Sequence, residues 1–178
     1  MVDFQSPSNF FLDQYHFRLN KFFRGNIFMQ LEDKTRNIIE RECEDYFLGV
    51  EDLSLTNDPV ILQYKTLLNE YPRAISIGIT LPFFKDKSAE ENIYKLTDLQ
   101  LKNITTHICN ILEDEGYSTF SVPKSYQHNT EASISLHMLA AKHAKIGKIK
   151  RNGIFTTPEM DLEINLGTVL TDAPLRNL

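Results

Sequence analysis

The sequence predicts an α/β-layered domain in which a mostly antiparallel sheet of about four or five strands is flanked by helices. Helix-like and strand-like patterns alternate from Glu32 onward, as in layered domains built on one sheet. The strands after Ile154 leave no room for a crossover helix between Phe155 and Asp172, so part of the sheet must be antiparallel. With 178 residues, 42% hydrophobic and 24% charged, the chain is long enough for one core and short for two.

The first elements are predicted from the spacing of apolar residues and from residues that begin or end helices. A helix is predicted from Glu32, with its apolar residues on one side, and the run YFLGVEDLSL at 46–55 predicts the first strand. Asp58 followed by proline is a helix N-cap with the favoured first residue, and Pro72 ends that helix. The β-branched run AISIGITL at 74–81 predicts a central strand.

The middle of the chain predicts one long helix and one strand. Ser88-x-x-Glu91 is a capping box that opens a helix through about Glu115, and Gly116 is placed to stop it. A strand at 117–122 follows and is closed by a proline. The remaining third then predicts a short amphipathic helix, a basic loop marked by glycines, a strand, a proline turn and a longer strand.

Composition excludes several classes of function. The net charge of −5 argues against attraction of the whole molecule to nucleic acid or an anionic membrane, and no apolar run approaches the roughly 18 residues of a membrane span. No leader pattern occurs at the N-terminus, so we expect a cytoplasmic protein. Cys43 and Cys109 are far apart and are predicted to be buried, reduced thiols, which leaves no zinc site and no iron–sulfur cluster in this chain.

Residues 1–30 are predicted to be an aromatic-rich arm preceding a single domain at 31–178. Three basic residues, Arg18, Lys21 and Arg24, interleave with the aromatics, but no RNA-binding motif accompanies them, and nucleic-acid binding is not expected. The arm either packs on its own domain or crosses to a second subunit, and we predict a homodimer whose interface includes it. The eight aromatic residues are Phe4, Phe10, Phe11, Tyr15, Phe17, Phe22, Phe23 and Phe28.

The run HMLAAKHAKIGKIKRNGIFTTPEMDLEINLGTVLTDAPL at 137–175 resembles a segment of the epoxyqueuosine reductases and of reductive-dehalogenase-like corrinoid proteins. The most specific parts are RNGIFTTPE and NLGTVLTDAPL, and weaker similarity extends back to about residue 45. The resemblance implies a nitroreductase-like domain that holds cobalamin, with FMN as the other possible cofactor. Iron–sulfur clusters follow this block in the family. Three residues follow Leu175 here, so a separate electron donor is implied.

The resemblance also implies a set of site residues. The cofactor is expected to contact a histidine and several backbone and hydroxyl groups: His137, Asn152, Gly153, Thr156, Thr168 and Thr171. Lys145 and Lys150 stand where the family has glycine, and a lysine there is expected to prevent both a positive φ and a close backbone approach. The family's catalytic aspartate has no clear counterpart, although Glu131 lies nearest to its position.

Five basic residues within ten positions form a second candidate site: Lys142, Lys145, Lys148, Lys150 and Arg151. Clustered cations can receive a phosphate from a cobalamin nucleotide, a flavin or RNA, or they can form an ordinary solvated loop. Asp172 is interpreted as a turn residue at a strand end, and Tyr126 and His128 lie in a polar loop that could reach a pocket. No catalytic residue is assigned, because no nucleophile, metal or dinucleotide motif occurs.

Two functions therefore remain open from the sequence. One is a reductase-type domain that binds a corrinoid or flavin and receives electrons from a partner. The other is a cofactor-free relative that acts as a binding or assembly module.

Overall fold

The computed structural model describes residues 31–82, 87–124 and 134–176, and these form one four-stranded sheet with helices on both faces. The sheet order is β1–β2–β6–β3, and every neighbouring pair is antiparallel. Its strands are β1 Tyr46–Asp52, β2 Arg73–Thr80, β3 Thr119–Ser121 and β6 Ile164–Thr171. A separate antiparallel ribbon contains β4 Lys148–Ile149 and β5 Phe155–Thr156. The predicted fold class is confirmed.

Five helical segments within these residues cover the sheet. They are α1 at 31–42, α2 Pro59–Leu62, α3 Lys65–Glu70, α4 Lys87–Asp114 and α5 Leu136–His143, and a 3₁₀ turn Leu53–Leu55 follows β1. The α4 side of the core contains Ile75, Ile77 and Ile79 of β2. Ala74, which precedes them, packs instead with α5 and with Leu170 of β6. This alternation follows the two-residue period of a strand, so both faces of β2 are buried.

The central position predicted for residues 74–81 is confirmed. β2 lies between β1 and β6, and β6 is buried along its whole length. Burial on both faces explains why these two strands read as continuous apolar runs rather than as alternating ones. Leu101, Ile104 and Ile108 of α4 complete the core on one side.

Several predicted boundaries shift in the structure. The strand expected at 46–55 ends at Asp52, whose carboxylate caps the following 3₁₀ turn by accepting the Ser54 N–H at 3.1 Å. The helix starting after Asp58 is capped as predicted, with Val60 N–H to Asp58 Oδ1 at 2.9 Å. It is interrupted near Tyr64, however, and becomes α2 and α3.

The later elements also differ from expectation. Because α4 already includes Lys87, Ser88 lies inside the helix and not at its N-cap. The strand expected at 117–122 shortens to β3, because Gly116 and Tyr117 are used to terminate α4. Cys109 is buried as predicted. Cys43 is only half-buried and packs against the hydrophobic core.

Some predictions fall outside the described residues. These are the aromatic arm at 1–30 and the loop residues Tyr126, His128 and Glu131. In the part of the chain that the structure describes, no helix is both long and apolar enough to cross a membrane.

Candidate functional site

One cleft, of about 520 Å³, opens beside β6 where β3 ends. β3 ends because Pro123 has no N–H to continue the ladder, and the last such bond runs from Val122 N–H to Thr168 O at 2.9 Å. Beyond it, none of the described strands pairs with β6 on that side. We call this opening the histidine cleft, and its lining includes Leu99, Leu101, Thr105, Val122, His137 and Gly167.

His137 lies in the wall of the histidine cleft and is 4% exposed. It stands in the first turn of α5, which begins at the Ser135 cap. Its Nδ1 lies 3.0 Å from Thr168 Oγ1, and its Nε2 lies 3.3 Å from Pro123 O. A carbonyl can only accept, so Nε2 carries the proton and Nδ1 accepts the Thr168 hydroxyl. Both ring nitrogens are therefore engaged within the protein.

The electrostatic surroundings keep His137 neutral. Burial first, and then the positive charge of Lys124, lower the pKa of His137 from its ordinary value near 6.5 to about 4. Burial disfavours the charged imidazolium because it removes that charge from water. At neutral pH the ring is a fixed hydrogen-bonding group that joins α5, β6 and the segment after β3.

A polar network centred on Lys124 forms the mouth of the histidine cleft. The Lys124 ammonium lies 2.9 Å from Asp98 Oδ1, 2.5 Å from Asn165 Oδ1 and 2.6 Å from Leu166 O. Its three N–H donors thus meet three acceptors, one of which is an edge carbonyl of β6. The amide of Asn165 donates in turn to Thr97 Oγ1 at 2.8 Å and to Asp98 Oδ1 at 2.9 Å.

Charge and burial compete within this network. Burial lowers the pKa of Lys124, although Asp98 acts in the opposite direction. Burial tends to raise the pKa of Asp98, but the hydrogen bonds from Lys124 and Asn165 outweigh it and lower that pKa. The contacts of Lys124 and Asp98 with Asn165 and Leu166 hold α4 to the edge of β6.

A second cleft, of about 350 Å³, lies between the first turns of α4 and the β4–β5 ribbon. We call it the carboxylate cleft, because Glu90, Asp161 and Glu163 line it. The Tyr94 phenol donates a hydrogen bond to Glu163 Oε1. Burial, followed by the charge of Glu90, raises the pKa of Glu163. The other residues that line the carboxylate cleft include Leu81, Ile93, Lys150, Asn152, Ile154 and Thr156.

The five predicted phosphate-binding cations do not meet at one point. Lys148 and Lys150 both pair with Asp161, at 2.8 and 3.3 Å, and their hydrogen bonds lower the pKa of that carboxylate. The other three, Lys142, Lys145 and Arg151, are exposed. Two of the five cations thus already share one carboxylate.

The expectation that lysine prevents a positive φ is wrong at Lys145. This residue has a φ of 60° and follows α5 in a Schellman motif, with Ile146 N–H to Ala141 O and Lys145 N–H to Lys142 O, both at 3.1 Å. The two hydrogen bonds that end the helix hold Lys145 in a conformation normally taken by glycine. Lys150 shows no such conformation.

The predicted cofactor residues divide between the clefts. His137 and Thr168 are hydrogen-bonded to each other at the histidine cleft, whereas Asn152 and Thr156 line the carboxylate cleft. The other two residues line neither cleft. Gly153, at a φ of 80°, forms the turn between β4 and β5, and the Thr171 hydroxyl donates to Ser118 O at 2.8 Å.

Asp172, which follows β6, is the turn residue that the sequence predicted. Its Oδ1 accepts the Ser118 N–H at 2.8 Å and so closes the turn after α4 against the end of β6. A carboxylate used in this way stabilises the loop.

Sequence reasoning missed the residues at the mouths of both clefts: Tyr94, Asp98, Lys124, Glu163 and Asn165. One signal was present for Asn165, because a polar amide within the apolar run INLGTVL is unusual for a buried strand. The others occur on helix surfaces and in loops, where charged residues are ordinary. Among the residues that the structure describes, no group of three or more His, Cys, Asp or Glu is placed to hold a metal ion.

Comparison with known proteins gives a likeness of fold. No family model matches the sequence, and no curated protein matches it. A selenomethionine-labelled epoxyqueuosine reductase superposes with a TM-score of 0.55 at 15% identity, covering 84% of this chain and 48% of that one. The chain resembles the epoxyqueuosine reductases in fold.

Two further epoxyqueuosine reductase structures agree. The Bacillus subtilis enzyme with its catalytic loop swung out of the active site gives a TM-score of 0.50 at 16% identity, covering 83% of this chain and 47% of that one. A complex of the enzyme with an epoxyqueuosine-modified tRNA-Tyr stem loop gives a TM-score of 0.50 at 15% identity, covering 83% of this chain and 48% of that one. The chain spans about half the length of these epoxyqueuosine reductases. The predicted resemblance is confirmed, and at such identity it establishes the fold.

Proposed function

We propose that this chain is a reductase-type domain that binds a flavin or a corrinoid at the histidine cleft and receives electrons from a separate partner. The observation that carries the proposal is the cleft itself, an apolar opening bordered by a polar network, on a fold shared with the epoxyqueuosine reductases. Largely apolar clefts with a few fixed polar groups, at volumes of about 300–1,000 Å³, are typical of cofactor and ligand sites.

The lining of the histidine cleft fits a planar ring. Leu99, Leu101 and Val122 offer apolar surface to the face of a ring. At the floor, a Cβ on Gly167 would lie 3.2 Å from Leu101 Cδ2 and from Thr105 Cγ2, so a larger residue there would require these side chains of α4 to shift by a few tenths of an ångström. A flavin ring suits this volume. A corrinoid is much larger and would cover the mouth of the cleft.

Charge favours the histidine cleft over the carboxylate cleft for such a cofactor. Flavin phosphate and the corrinoid nucleotide are anionic, and three carboxylates line the carboxylate cleft. The histidine cleft carries Lys102, which forms no ion pair within the described part of the chain, beside the neutralised pair of Lys124 and Asp98. Lys102 is therefore our candidate for contact with the phosphate.

The residues of the cleft have distinct roles in this proposal. A bound flavin or corrinoid would supply the redox chemistry. Lys124 and Asn165 keep the mouth in shape by bonding the edge of β6. His137 forms part of the cleft wall, and both of its ring nitrogens are already hydrogen-bonded within the protein. One of these bonds holds the Thr168 hydroxyl in place. His137 is therefore a positioning residue and not a metal ligand in this arrangement.

The experiment is a binding titration of the purified chain with FMN, followed by fluorescence, and with hydroxocobalamin, followed by absorbance. At micromolar protein, one of the two is expected to co-elute in gel filtration. Leu99→Asp should abolish binding because it puts a charge on the apolar wall, and Leu55→Asp is the matched control. Both leucines are largely exposed, at 57% and 79%, but Leu55 lies on the 3₁₀ turn away from the cleft. Failure of both ligands to bind the unmodified chain overturns the proposal.

The second candidate function is a cofactor-free binding or assembly module, and one observation favours it. The polar groups at the histidine cleft are largely satisfied by one another, with His137, Lys124 and Asn165 all fully engaged in the described structure. The double variant Lys145→Gly, Lys150→Gly restores the glycines implied by the family resemblance. If the unmodified chain binds neither ligand, a gain of cofactor binding in this variant would indicate a degenerate site, and no gain would favour the module.

A further inference from the structure

The carboxylate cleft carries chemistry that the proposed cofactor site does not use. Glu90 and Tyr94 of α4 face Glu163, which precedes β6 in the chain, across an opening of about 350 Å³. Glu163 is only partly accessible to solvent, and Glu90 is close enough to raise its pKa after the larger effect of burial. Two carboxylates therefore share one small and partly desolvated opening.

Among the described residues, two lysines stand beside three carboxylates here, so the charges of Glu90 and Glu163 are offset only in part. Lys148 and Lys150 both pair with Asp161. None of the ion pairs formed by the described side chains includes Glu90 or Glu163. A bound cation would relieve this repulsion, because an opposite charge within a few ångströms favours the ionised form of a carboxylate.

A buried hydroxyl at the same cleft is independent of the acidic residues. Thr156 lines the cleft and is 2% exposed, and its Oγ1 has no hydrogen-bond partner within the described part of the chain. A buried hydroxyl without a partner costs about 1–3 kcal/mol, and native proteins contain few of them. It is one of two such side-chain atoms among the described residues, and the other, Ser76 Oγ, lies in central strand β2 and does not line this cleft.

The walls of the carboxylate cleft define the rest of the ligand. Leu81, Pro82, Ile93, Ile154 and Leu162 give it an apolar surface between the carboxylates. A hydrated metal ion makes no use of such walls, whereas an alkyl chain that ends in a cation does. We propose that the carboxylate cleft binds an organic cation, a primary amine or guanidinium on an apolar stem, through Glu90, Glu163 and the hydroxyl of Thr156.

The test is isothermal titration of the full-length protein with n-pentylamine and agmatine, with n-pentanol as the uncharged counterpart. Nα-acetyl-lysine methylamide and Nα-acetyl-arginine methylamide are titrated in parallel. Binding of the free amines identifies a small-molecule site, and binding of only the blocked amino acids identifies a site for a side chain of a partner protein. Either result supports the proposal. It is overturned if n-pentanol binds as well as n-pentylamine, or if no cation binds at millimolar concentration.

Matched variants locate the site. Glu163→Gln keeps an acceptor for Tyr94 but removes the charge, and Glu90→Gln removes the second charge. Each is expected to weaken amine binding about tenfold or more. Glu91→Gln is the control, because Glu91 is adjacent in sequence, pairs with Lys95 at 2.8 Å and does not line the cleft. Equal affinity in Glu90→Gln and Glu91→Gln overturns the assignment. These measurements do not depend on whether the histidine cleft binds a cofactor.

Discussion

Replacing Lys145 with glycine is expected to stabilise the protein, which is the reverse of the usual effect of an added glycine. Lys145 occupies the position after α5 where the chain must take a φ of 60°, and its N–H and that of Ile146 close the Schellman motif. Its side chain is exposed and forms no hydrogen bond or ion pair with the described residues that glycine would remove. The substitution therefore isolates the conformational cost of a left-handed lysine.

The expected gain follows from two opposing terms. A left-handed conformation costs an L-residue about 1–2 kcal/mol relative to the right-handed one. Glycine loses about 0.5–1 kcal/mol more on folding, because its unfolded chain is more flexible. The difference predicts that Lys145→Gly raises the free energy of unfolding by about 0.5–1 kcal/mol, or the melting temperature by about 1–4 °C for a chain of this size.

Urea unfolding followed by circular dichroism measures this difference, and two further variants control it. Gly116 ends α4 by the same motif, with a φ of 89°, and a Cβ added there would meet no atom within 4 Å, so Gly116→Lys should destabilise by a similar amount. Lys150→Gly should destabilise as well, because Lys150 does not have a positive φ and pairs with Asp161. A Lys145→Gly protein no more stable than the original would refute the reasoning.

Three other predictions follow from the described contacts and from the sequence. Asn165→Ala should lower the free energy of unfolding by about 2 kcal/mol in urea titrations, because it removes the hydrogen bonds that Asn165 makes with Lys124, Thr97 and Asp98, whereas Asn152→Ala on the exposed turn should change it by less than about 0.5 kcal/mol. The pKa of His137 is depressed on folding, so its contribution is complete above about pH 6.5 and is lost as the pH falls toward 4, by about 3 kcal/mol in all. Urea midpoints measured from pH 7 to pH 4 should therefore fall less steeply in His137→Gln. Light scattering should give a dimer for the full chain and a monomer after deletion of residues 1–30, and a full-length monomer would contradict the predicted homodimer.

The parts of the fold that the sequence predicted are those governed by local rules. The run at 74–81 is β-branched and apolar throughout, which suits a strand buried on both faces. Asp58 and the following proline set the start of α2 through one side-chain hydrogen bond. Gly116 ends α4 because the left-handed residue at a helix end is most often glycine. Each of these signals lies within a few residues of the element that it defines.

The parts that the sequence did not predict depend on contacts between distant residues. Lys145 takes a glycine-like conformation at the end of α5, where the neighbouring Ala144 and Ile146 lie close to Gly49 of β1. The Lys124 network joins residues 98, 124 and 165, which belong to three separate segments. No spacing rule relates such positions, so the hydrogen-bond network that they form in the folded chain could not be predicted from the sequence.

The residues that carry the resemblance have packing roles in this structure, and this separates the question of fold from that of function. A Cβ on Gly147 would lie 2.3 Å from the ring of Phe155 and 2.5 Å from Thr156 O, so the backbone of the loop can approach β5 only through glycine. Thr171 and Asp172 bond the backbone of Ser118. Gly147, Thr171 and Asp172 thus have packing or hydrogen-bonding roles within the protein itself. Shared sequence at these positions therefore supports a shared fold, and the functional question must be decided at the two clefts, where the charges of Glu90, Glu163 and Lys102 distinguish one ligand from another.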